Sequence, residues 1–448
     1  MNTPNSTSMG KGQELYKKAK KLIPGGTQLL SKRPEMFLPD NWPAYYSRAQ
    51  GVHVWDLDGR RYTDFSIIGV GACILGYADP DVDAAVHRAI DSGTQCTLNC
   101  PEEVELAELL CGLHPWADMV RYARSGGEAA AIAIRLARAA TGRDKVAICG
   151  YHGWHDWYLA ANLGDGSALD AQLLPGLEPA GVPRALKGSA LTFTYGDQES
   201  FDKLVAEHGQ SLAAIIMEPA RGHDAPVDFL KSVQAQARRA GAVLIFDEIT
   251  SGFRMGCGGI HLRYGVEPDV AVFAKSMSNG YPMAAVLGRR DVMEAAQKSF
   301  ISSTNWTERI GPAAALATIR KYHNLQVDKH IIHIGSQMQS VWWNLSDETG
   351  LPIRVSGLPT LGHFEIKGVE GNDPLALRTL FTQLMLERGY LAWCQFKVSY
   401  AHKQEHVDAY KVACREAFAI IYKAIDQRNV QKMLKGPISH SGFKRLVS

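Results

Sequence analysis

Two acidic side chains and one lysine follow short apolar runs in the middle of the chain. Glu218, Asp247 and Lys275 each lie at the end of such a run or just beyond it. In open parallel sheets, ligands bind beyond the carboxyl ends of the strands, so we expect the three side chains to share one sheet edge. Removing carboxylates and an amine from water is energetically costly, so their presence together indicates a function. This edge is therefore the first candidate for an active site.

Asp247 and Lys275 allow two interpretations. They can form a structural ion pair. Alternatively, Lys275 forms a Schiff base with pyridoxal phosphate while Asp247 pairs with the protonated ring nitrogen, an arrangement that makes the ring a stronger electron sink. These two residues alone leave both interpretations open.

A second candidate site begins at Ser125, Gly126 and Gly127, which precede a run of strong helix formers at 129–140. A turn of this kind directs backbone N–H groups, a hydroxyl and the helix dipole at one point. That combination suits an anion, most simply a phosphate. The alternative is an ordinary serine N-cap with two glycines in the turn.

Aromatic residues and histidines alternate in the segment GYHGWHDW at 150–157. Tyr151 can stack on a planar heterocycle, with a plain core cluster as the alternative. His152, His155 and Asp156 lack the spacing of a metal-binding helix, so we expect no metal site. A single pyridoxal phosphate would use the lysine, the aspartate, the anion site and the tyrosine together.

The elements that carry these residues alternate along the chain. Buried strands are predicted at 146–149, 213–217, 242–246 and 270–273, with room for crossover helices between them. This predicts an α/β fold with a large, mostly parallel sheet that has helices on both faces, plus a smaller α+β domain. We assign 1–70 as an N-terminal segment joining the small domain, 71–315 as the large domain and 316–448 as the C-terminal small domain.

Composition restricts the partners of this 448-residue chain. Lys and Arg number 48 against 46 Asp and Glu, so bulk charge gives no reason to expect nucleic acid or a membrane surface as a partner. The eight cysteines include no Cys-x-x-Cys pair, which indicates reduced thiols. The polar N-terminus does not resemble a signal peptide, and no apolar run approaches the ~18 residues of a membrane span. We expect a cytoplasmic protein.

The order of the motifs resembles one family. The chain resembles class III, fold-type I pyridoxal-phosphate aminotransferases, and within them most resembles glutamate-1-semialdehyde 2,1-aminomutase. The resemblance covers most of residues 20–320. It rests on PGG at 24–26, DLDGRRYTD at 56–64, SGGE at 125–128, YHG at 151–153, EP at 218–219, DEITSGFR at 247–254, YGVEPD at 264–269, AK at 274–275 and GRRDVM at 288–293.

The resemblance implies a role for each cofactor-site residue. Lys275 would form the Schiff base and move the proton, and Asp247 would hold the pyridine nitrogen. The remaining cofactor contacts would be the phosphate-binding Ser125, Gly126 and Gly127, the ring-stacking Tyr151, the adjacent His152, and Glu218.

The resemblance also implies a homodimer with active sites at the interface. A threonine from the partner subunit would contact the phosphate, and Thr307 has the matching spacing before Pro312. Thr304 is the nearby alternative.

The substrate pocket departs from the aminomutase pattern. The loop at 66–73 is one residue longer than in aminomutases and has no tryptophan, and the acidic residue expected within 393–397 is missing. In the phosphate site, Gly127 stands where the family usually has threonine, so one hydroxyl contact is missing. Arg33 and Arg254 are candidate partners for a substrate carboxylate, with surface or structural pairing as the alternative.

These features predict an aminotransferase that moves an amino group from an amino-acid donor to a ketone or aldehyde acceptor through Lys275. The alternative within the family is intramolecular transfer of the aminomutase type. A cofactor-binding protein without turnover and a nicotinamide dehydrogenase are the alternatives from other classes, but no Gly-x-Gly-x-x-Gly opens a helix here.

Overall fold

The computed structural model describes residues 10–172, 174–220, 222, 224, 226–367 and 371–443. The described chain divides into two compact units. One contains residues 71–75 and 79–332, and the other contains the N-terminal residues through Val70, residues 76–78 and the chain from His333 onward. The second boundary lies after Ile332, later than the predicted 315, because helix 310–324 packs on helices 80–91 and 102–113 of the first unit.

The strands, numbered in chain order, are β1 (Tyr46–Gln50), β2 (His53–Asp56), β3 (Arg61–Phe65), β4 (Met119–Ala123), β5 (Lys145–Cys149), β6 (Ala190–Thr192), β7 (Leu212–Met217), β8 (Val243–Asp247), β9 (Val270–Phe273), β10 (Ala284–Gly288), β11 (Ile353–Ser356), β12 (His363–Ile366) and β13 (Tyr390–Ala392). The α-helices are α1 (Lys11–Leu22), α2 (Pro80–Asp91), α3 (Glu102–Leu113), α4 (Gly126–Thr141), α5 (Asp156–Leu159), α6 (Gln198–His208), α7 (Val227–Ala240), α8 (His261–Tyr264), α9 (Arg290–Met293), α10 (Ile310–Asn324), α11 (Val327–Thr349), α12 (Pro374–Glu387), α13 (Gln404–Asp426) and α14 (Val430–Met433).

A seven-stranded sheet in the order β4-β10-β9-β8-β7-β5-β6 forms the centre of the first unit. Its strands are parallel except β10, which runs antiparallel to both of its neighbours. The predicted large, mostly parallel sheet is therefore confirmed. Strands β7, β8 and β9 are buried along their whole length, as expected for strands covered on both faces.

Alternate residues of the central strands enter two separate cores. Ile216 and Ile245 pack with residues of α4 on one face, whereas Ile215 and Leu244 pack with residues of α6 and α7 on the other. Because successive side chains of a strand point to opposite faces, this division requires helices on both sides of the sheet. Helices lie on both faces, as predicted.

The other unit contains two small sheets. One has the order β1-β2-β3-β13, in which β13 pairs parallel to β3 from a distant part of the chain, and the other pairs β11 with β12. A cluster of buried apolar residues packs at the first sheet: Phe37, Leu38, Trp42, Tyr62 and Leu391. The N-terminal segment and the C-terminal region are thus parts of one α+β unit.

None of the helices in the described part of the chain combines the length and the apolar content needed to cross a membrane. Within the same ranges, no group of three or more His, Cys, Asp or Glu side chains is arranged to hold a metal ion.

Candidate active site

Adjacent strands bring Asp247 and Lys275 to the same edge of the large sheet. Asp247 is the last residue of β8 and pairs in register with Val272 of β9, and Lys275 follows two residues after β9 ends. Glu218 directly follows β7, the strand on the other side of β8. The parallel register explains why three residues that are far apart in the sequence end at one edge.

Lys275 begins a short 3-10 turn, Lys275–Ser278, with a left-handed backbone at φ 47°. Its Nζ donates a hydrogen bond to Oγ1 of Thr250 at 2.8 Å. Burial lowers the pKa of the Lys275 amine, whereas the negative charges of Asp247 and Glu218 oppose that shift. A lowered pKa favours the neutral amine, which is the form that attacks a carbonyl carbon.

The carboxylate of Asp247 is almost fully buried and has a fixed orientation. Its Oδ2 lies 2.7 Å from Nδ1 of His152, and its Oδ1 accepts a hydrogen bond from the backbone N–H of Ile249 at 3.0 Å. Nε2 of the same histidine lies 3.2 Å from the carbonyl oxygen of Cys149. The histidine therefore connects the end of β5 to the end of β8.

Tyr151 and Glu218 lie at the same edge. The backbone N–H of Tyr151 donates to Oε2 of Glu218 at 3.4 Å, and the tyrosine ring packs edge-on against Tyr158. Burial, together with the nearby charge of Asp247, raises the pKa of the Tyr151 phenol, which stays protonated at neutral pH. Tyr151 thus lies near the two carboxylates whose charges act on Lys275.

Ser125 is the N-cap of α4 and forms a capping box. Its Oγ accepts from the backbone N–H of Glu128 at 3.4 Å, and Oε2 of Glu128 accepts from the backbone N–H of Ser125 at 2.9 Å. The N-cap interpretation is confirmed, and the anion site stays a prediction. The cap leaves the N–H groups of Gly126 and Gly127 in the first helical turn without intrahelical acceptors. These N–H groups and the helix dipole are available to an anion.

Glycines allow two segments of the chain to approach each other closely at this helix start. A Cβ atom on Gly127 would lie 3.0 Å from the ring of His155, and a Cβ atom on Gly153 would lie 3.1 Å from the Cα atom of Gly127. The two backbone segments approach each other so closely that a side chain at either glycine would displace its neighbour. A lysine amine, a carboxylate at the end of the neighbouring strand, an aromatic ring and an anion-binding helix start form a donor set that fits pyridoxal phosphate.

The remaining predicted residues lie in other surroundings. Thr307 is exposed, and its Oγ1 donates to the carbonyl oxygen of Thr304 at 3.0 Å. Arg254 is buried and its Nη2 donates to the carbonyl oxygen of Gly71. Arg33 belongs to the other unit, where its guanidinium lies 5.7 Å from the ring centroid of Phe443.

Sequence reasoning missed Thr250, which lies three residues beyond Asp247. Its position inside the DEITSGFR motif was the available signal, but the motif alone gives no reason to pair this hydroxyl with a lysine 25 residues later. The direct contact between His152 and Asp247 was likewise not predicted, although both residues were assigned to the site.

The sequence profile described as aminotransferase class III matches residues 39–410. The chain belongs to the class III aminotransferase family. A 3-aminobutyryl-CoA aminotransferase from Cloacimonas acidaminovorans is 31% identical over 93% of this chain and 99% of its own length. A glutamate-1-semialdehyde 2,1-aminomutase from Thermomicrobium roseum is 34% identical over 90% of this chain and 97% of its own.

Solved structures agree with the family assignment. An omega-transaminase from Sphaerobacter thermophilus superposes with a TM-score of 0.81 at 27% identity, covering 94% of this chain and 98% of its own. A transaminase with bound PLP gives a TM-score of 0.82 at 26% identity, covering 94% of this chain and the whole of its own. This class III aminotransferase is a pyridoxal-phosphate-dependent enzyme, and the predicted fold, family and cofactor are confirmed.

Proposed function

We propose that this class III aminotransferase moves an amino group from an amino-acid donor to a separate ketone or aldehyde, with Lys275 and Asp247 as its catalytic residues. The observation that carries the proposal is the position of the Lys275 amine beside Asp247 and Glu218, where burial lowers its pKa. The neutral amine is the form that attacks a carbonyl carbon, so a lowered pKa increases the fraction of Lys275 that can react.

The residues at the sheet edge would hold the cofactor by distinct contacts. Lys275 would bind its aldehyde carbon covalently, Asp247 would face the ring nitrogen, and Tyr151 would stack on the ring. The phosphate would be bound by its proposed contacts at the start of α4: Ser125, Gly126 and Gly127. When bound, pyridoxal phosphate supplies an electron sink for the carbon that loses its proton.

The side chains around the cofactor would control the protons. Lys275 would act as the general base and acid that moves the proton between the substrate carbon and the cofactor carbon. Asp247 would keep a proton on the ring nitrogen, and His152 contacts that carboxylate at 2.7 Å and so fixes its orientation. Glu218 adds a second negative charge close to the lysine.

We further propose that the enzyme is a cytoplasmic homodimer in which Thr307 contacts the phosphate bound by the partner subunit. The side chain of Gln95 joins two exposed segments, because its Nε2 donates to the carbonyl oxygen of Thr304 at 2.9 Å. Leu98 and Phe300 on these segments are 79% and 88% exposed. Exposed apolar side chains beside the proposed phosphate ligand are consistent with a protein interface.

Intramolecular transfer of the aminomutase type is the second candidate, and the 34% identity to a glutamate-1-semialdehyde 2,1-aminomutase favours it. The two candidates differ because intermolecular transfer needs a second substrate and intramolecular transfer does not.

The purified enzyme should lose its yellow colour with an amino donor and regain it with a separate carbonyl acceptor. Glutamate, alanine and 3-aminobutyryl-CoA are the donors to test. Turnover of glutamate-1-semialdehyde with no other substrate would contradict the proposed intermolecular transfer.

Borohydride reduction of the loaded enzyme tests the attachment site. We expect a peptide containing Lys275 to gain the mass of the reduced cofactor, and Lys275→Ala to abolish this gain. Labelling at a different lysine would refute the proposed catalytic role.

A further inference from the structure

Thr250 contacts the atom of the protein that performs the proposed chemistry. Its Oγ1 accepts a hydrogen bond from Nζ of Lys275 at 2.8 Å. The contact joins the turn after β8 to the turn after β9, two neighbouring strands of the sheet. The threonine is therefore in position to determine where the free amine lies.

The turn that carries Thr250 is fixed on both sides of that residue. The N–H of Ile249 donates to Oδ1 of Asp247 at 3.0 Å, and the hydroxyl of Ser251 donates to the buried carboxylate of Glu248. The N–H of Gly252 donates to the carbonyl oxygen of Glu248 at 2.8 Å. These bonds hold the backbone of Thr250 in place before a substrate arrives, which is the condition for a preorganised contact.

The backbone of the lysine is held as well. The hydroxyl of Ser276 donates to the carbonyl oxygen of Gly71 at 3.0 Å, and Oδ1 of Asn279 accepts from the N–H of Leu75 at 2.8 Å. Both ends of the contact between Thr250 and Lys275 thus rest on anchored turns.

A neutral acceptor suits an amine that must change its protonation state. A hydroxyl oxygen accepts from a neutral amine and from an ammonium group, so the contact survives gain or loss of a proton. A carboxylate in the same place would favour the ammonium form. The charged groups that act on Lys275 are Asp247 and Glu218, which favour its ammonium form, and Arg254, which opposes it.

We propose that Thr250 is a positioning residue whose hydroxyl holds the Lys275 amine whenever that amine is not bonded to the cofactor. The inference rests on the proposed role of Lys275 and extends it. The amine must be free both when it first captures the cofactor and when it moves protons, and in both states its direction decides which atom it reaches.

Uptake of pyridoxal phosphate by cofactor-free enzyme tests this role without an amino donor. The rate at which the yellow colour appears is measured between pH 6 and pH 10 for the wild type, Thr250→Val and Thr250→Ser. Thr250→Val keeps the shape but removes the acceptor, so we expect uptake to slow by about ten-fold throughout this pH range. Thr250→Ser restores a hydroxyl and should return the rate to within about two-fold of the wild type.

Thr382→Val is the matched control, because the hydroxyl of the buried Thr382 donates to the carbonyl oxygen of Arg378 within its own helix. This variant loses a buried threonine hydroxyl from a helix outside the unit that contains Lys275, and it should load at the wild-type rate. Thermal unfolding of all four proteins shows whether each variant is folded when it is loaded.

Equal uptake by the wild type and Thr250→Val would overturn the proposal, and so would equally slow uptake by the Val and Ser variants. A separate observation would show that the proposed function is wrong. If the wild type loads at Lys275 but no donor removes the colour, amino transfer is wrong while the uptake rates still decide the role of Thr250.

Discussion

Nδ1 of His152 lies 2.7 Å from Oδ2 of Asp247, and both side chains are buried. Because an ionised carboxylate only accepts hydrogen bonds, Nδ1 is the donor in this contact. The second carboxylate oxygen accepts from the N–H of Ile249. Asp247 is therefore held at both oxygens before it meets a ligand, and its orientation depends on a residue that precedes it by almost a hundred positions.

Replacing Asp247 by Asn should lower the rate of the half-reaction with an amino donor by about 10²–10³-fold, because one preorganised charge is removed from the site. Stopped-flow absorbance measures this rate. Asp269→Asn is the control, since Asp269 lies beyond the other end of β8 and accepts from the N–H of Leu244. We expect the control to change stability and to leave the half-reaction rate within a few-fold of the wild type. A wild-type rate for Asp247→Asn would contradict the assigned role.

The lowered pKa of Lys275 predicts how the reactivity of its amine depends on pH. Labelling of Lys275 by trinitrobenzenesulfonate in the cofactor-free enzyme should reach half of its maximal rate below pH 10.5, because burial favours the neutral amine. Glu218→Gln should move the midpoint lower still, since it removes a negative charge that favours the ammonium form. Peptide mass spectrometry measures the labelling, with the exposed Lys231 as an internal reference. A midpoint above 10.5 would show that the two carboxylates outweigh burial.

Glu248 and His261 form a buried pair that stabilises the turn behind the active site. Oε1 of Glu248 lies 2.7 Å from Nδ1 of His261, whose Nε2 accepts from the indole N–H of Trp116 at 3.0 Å. Burial favours the protonated acid, but the hydrogen bonds from His261 and the Ser251 hydroxyl hold the pKa of Glu248 below its usual value.

A carboxylate with a lowered pKa stabilises the folded state above its unfolded pKa of 4.5, and this contribution is lost as pH falls through the lower folded value. Glu248→Gln should lower the free energy of unfolding at pH 7 by about 1–3 kcal/mol, because a neutral amide replaces the charged acceptor of the buried hydrogen bonds from His261 and Ser251. Urea titrations at pH 7 and at pH 4 measure the effect, which should be smaller at pH 4. An equal loss at both pH values would argue against an electrostatic contribution.

Arg254 forms a hydrogen bond with the backbone of its own unit. Its Nη2 donates to the carbonyl oxygen of Gly71, and burial lowers its pKa to about 10. Arg254→Lys should therefore lower the free energy of unfolding by about 1–3 kcal/mol through loss of a buried hydrogen bond from a charged donor. The KM for acceptors with and without a carboxylate should change equally. A KM that rises at least ten-fold only for carboxylate-bearing acceptors would instead establish the substrate role considered from the sequence.

If Thr307 contacts the phosphate bound by the partner subunit, its substitution should weaken cofactor binding more than substitution of Thr304. Thr307→Val should weaken cofactor binding by about 10–100-fold, the value of one hydrogen bond to a charged group. Thr304→Val is the matched control and should bind the cofactor normally. Equilibrium dialysis measures the affinity, and sedimentation of the same samples reports the oligomeric state. The reverse order of the two variants would identify Thr304 as the ligand, and a fully active monomer would refute the shared site.

The sequence by itself determined the chemistry of the sheet edge. Buried strands are recognisable because a run that is apolar on both faces is a local property, and Glu218, Asp247 and Lys275 follow such runs. The capped start of α4 is equally local, since Ser125 and Glu128 are three residues apart and bond to one another. The order of the motifs then sufficed to predict the family, the cofactor and the fold.

The tertiary structure alone decided which side chains meet. Thr250 contacts Lys275, His152 contacts Asp247 and Arg254 contacts Gly71 across 25, 95 and 183 positions of sequence. The boundary after Ile332 likewise lies beyond α10, because α10 packs on α2 and α3 of the first unit. Periodicity and capping arise from neighbours along the chain, whereas these contacts depend on the strand register and on how turns from different strands pack together.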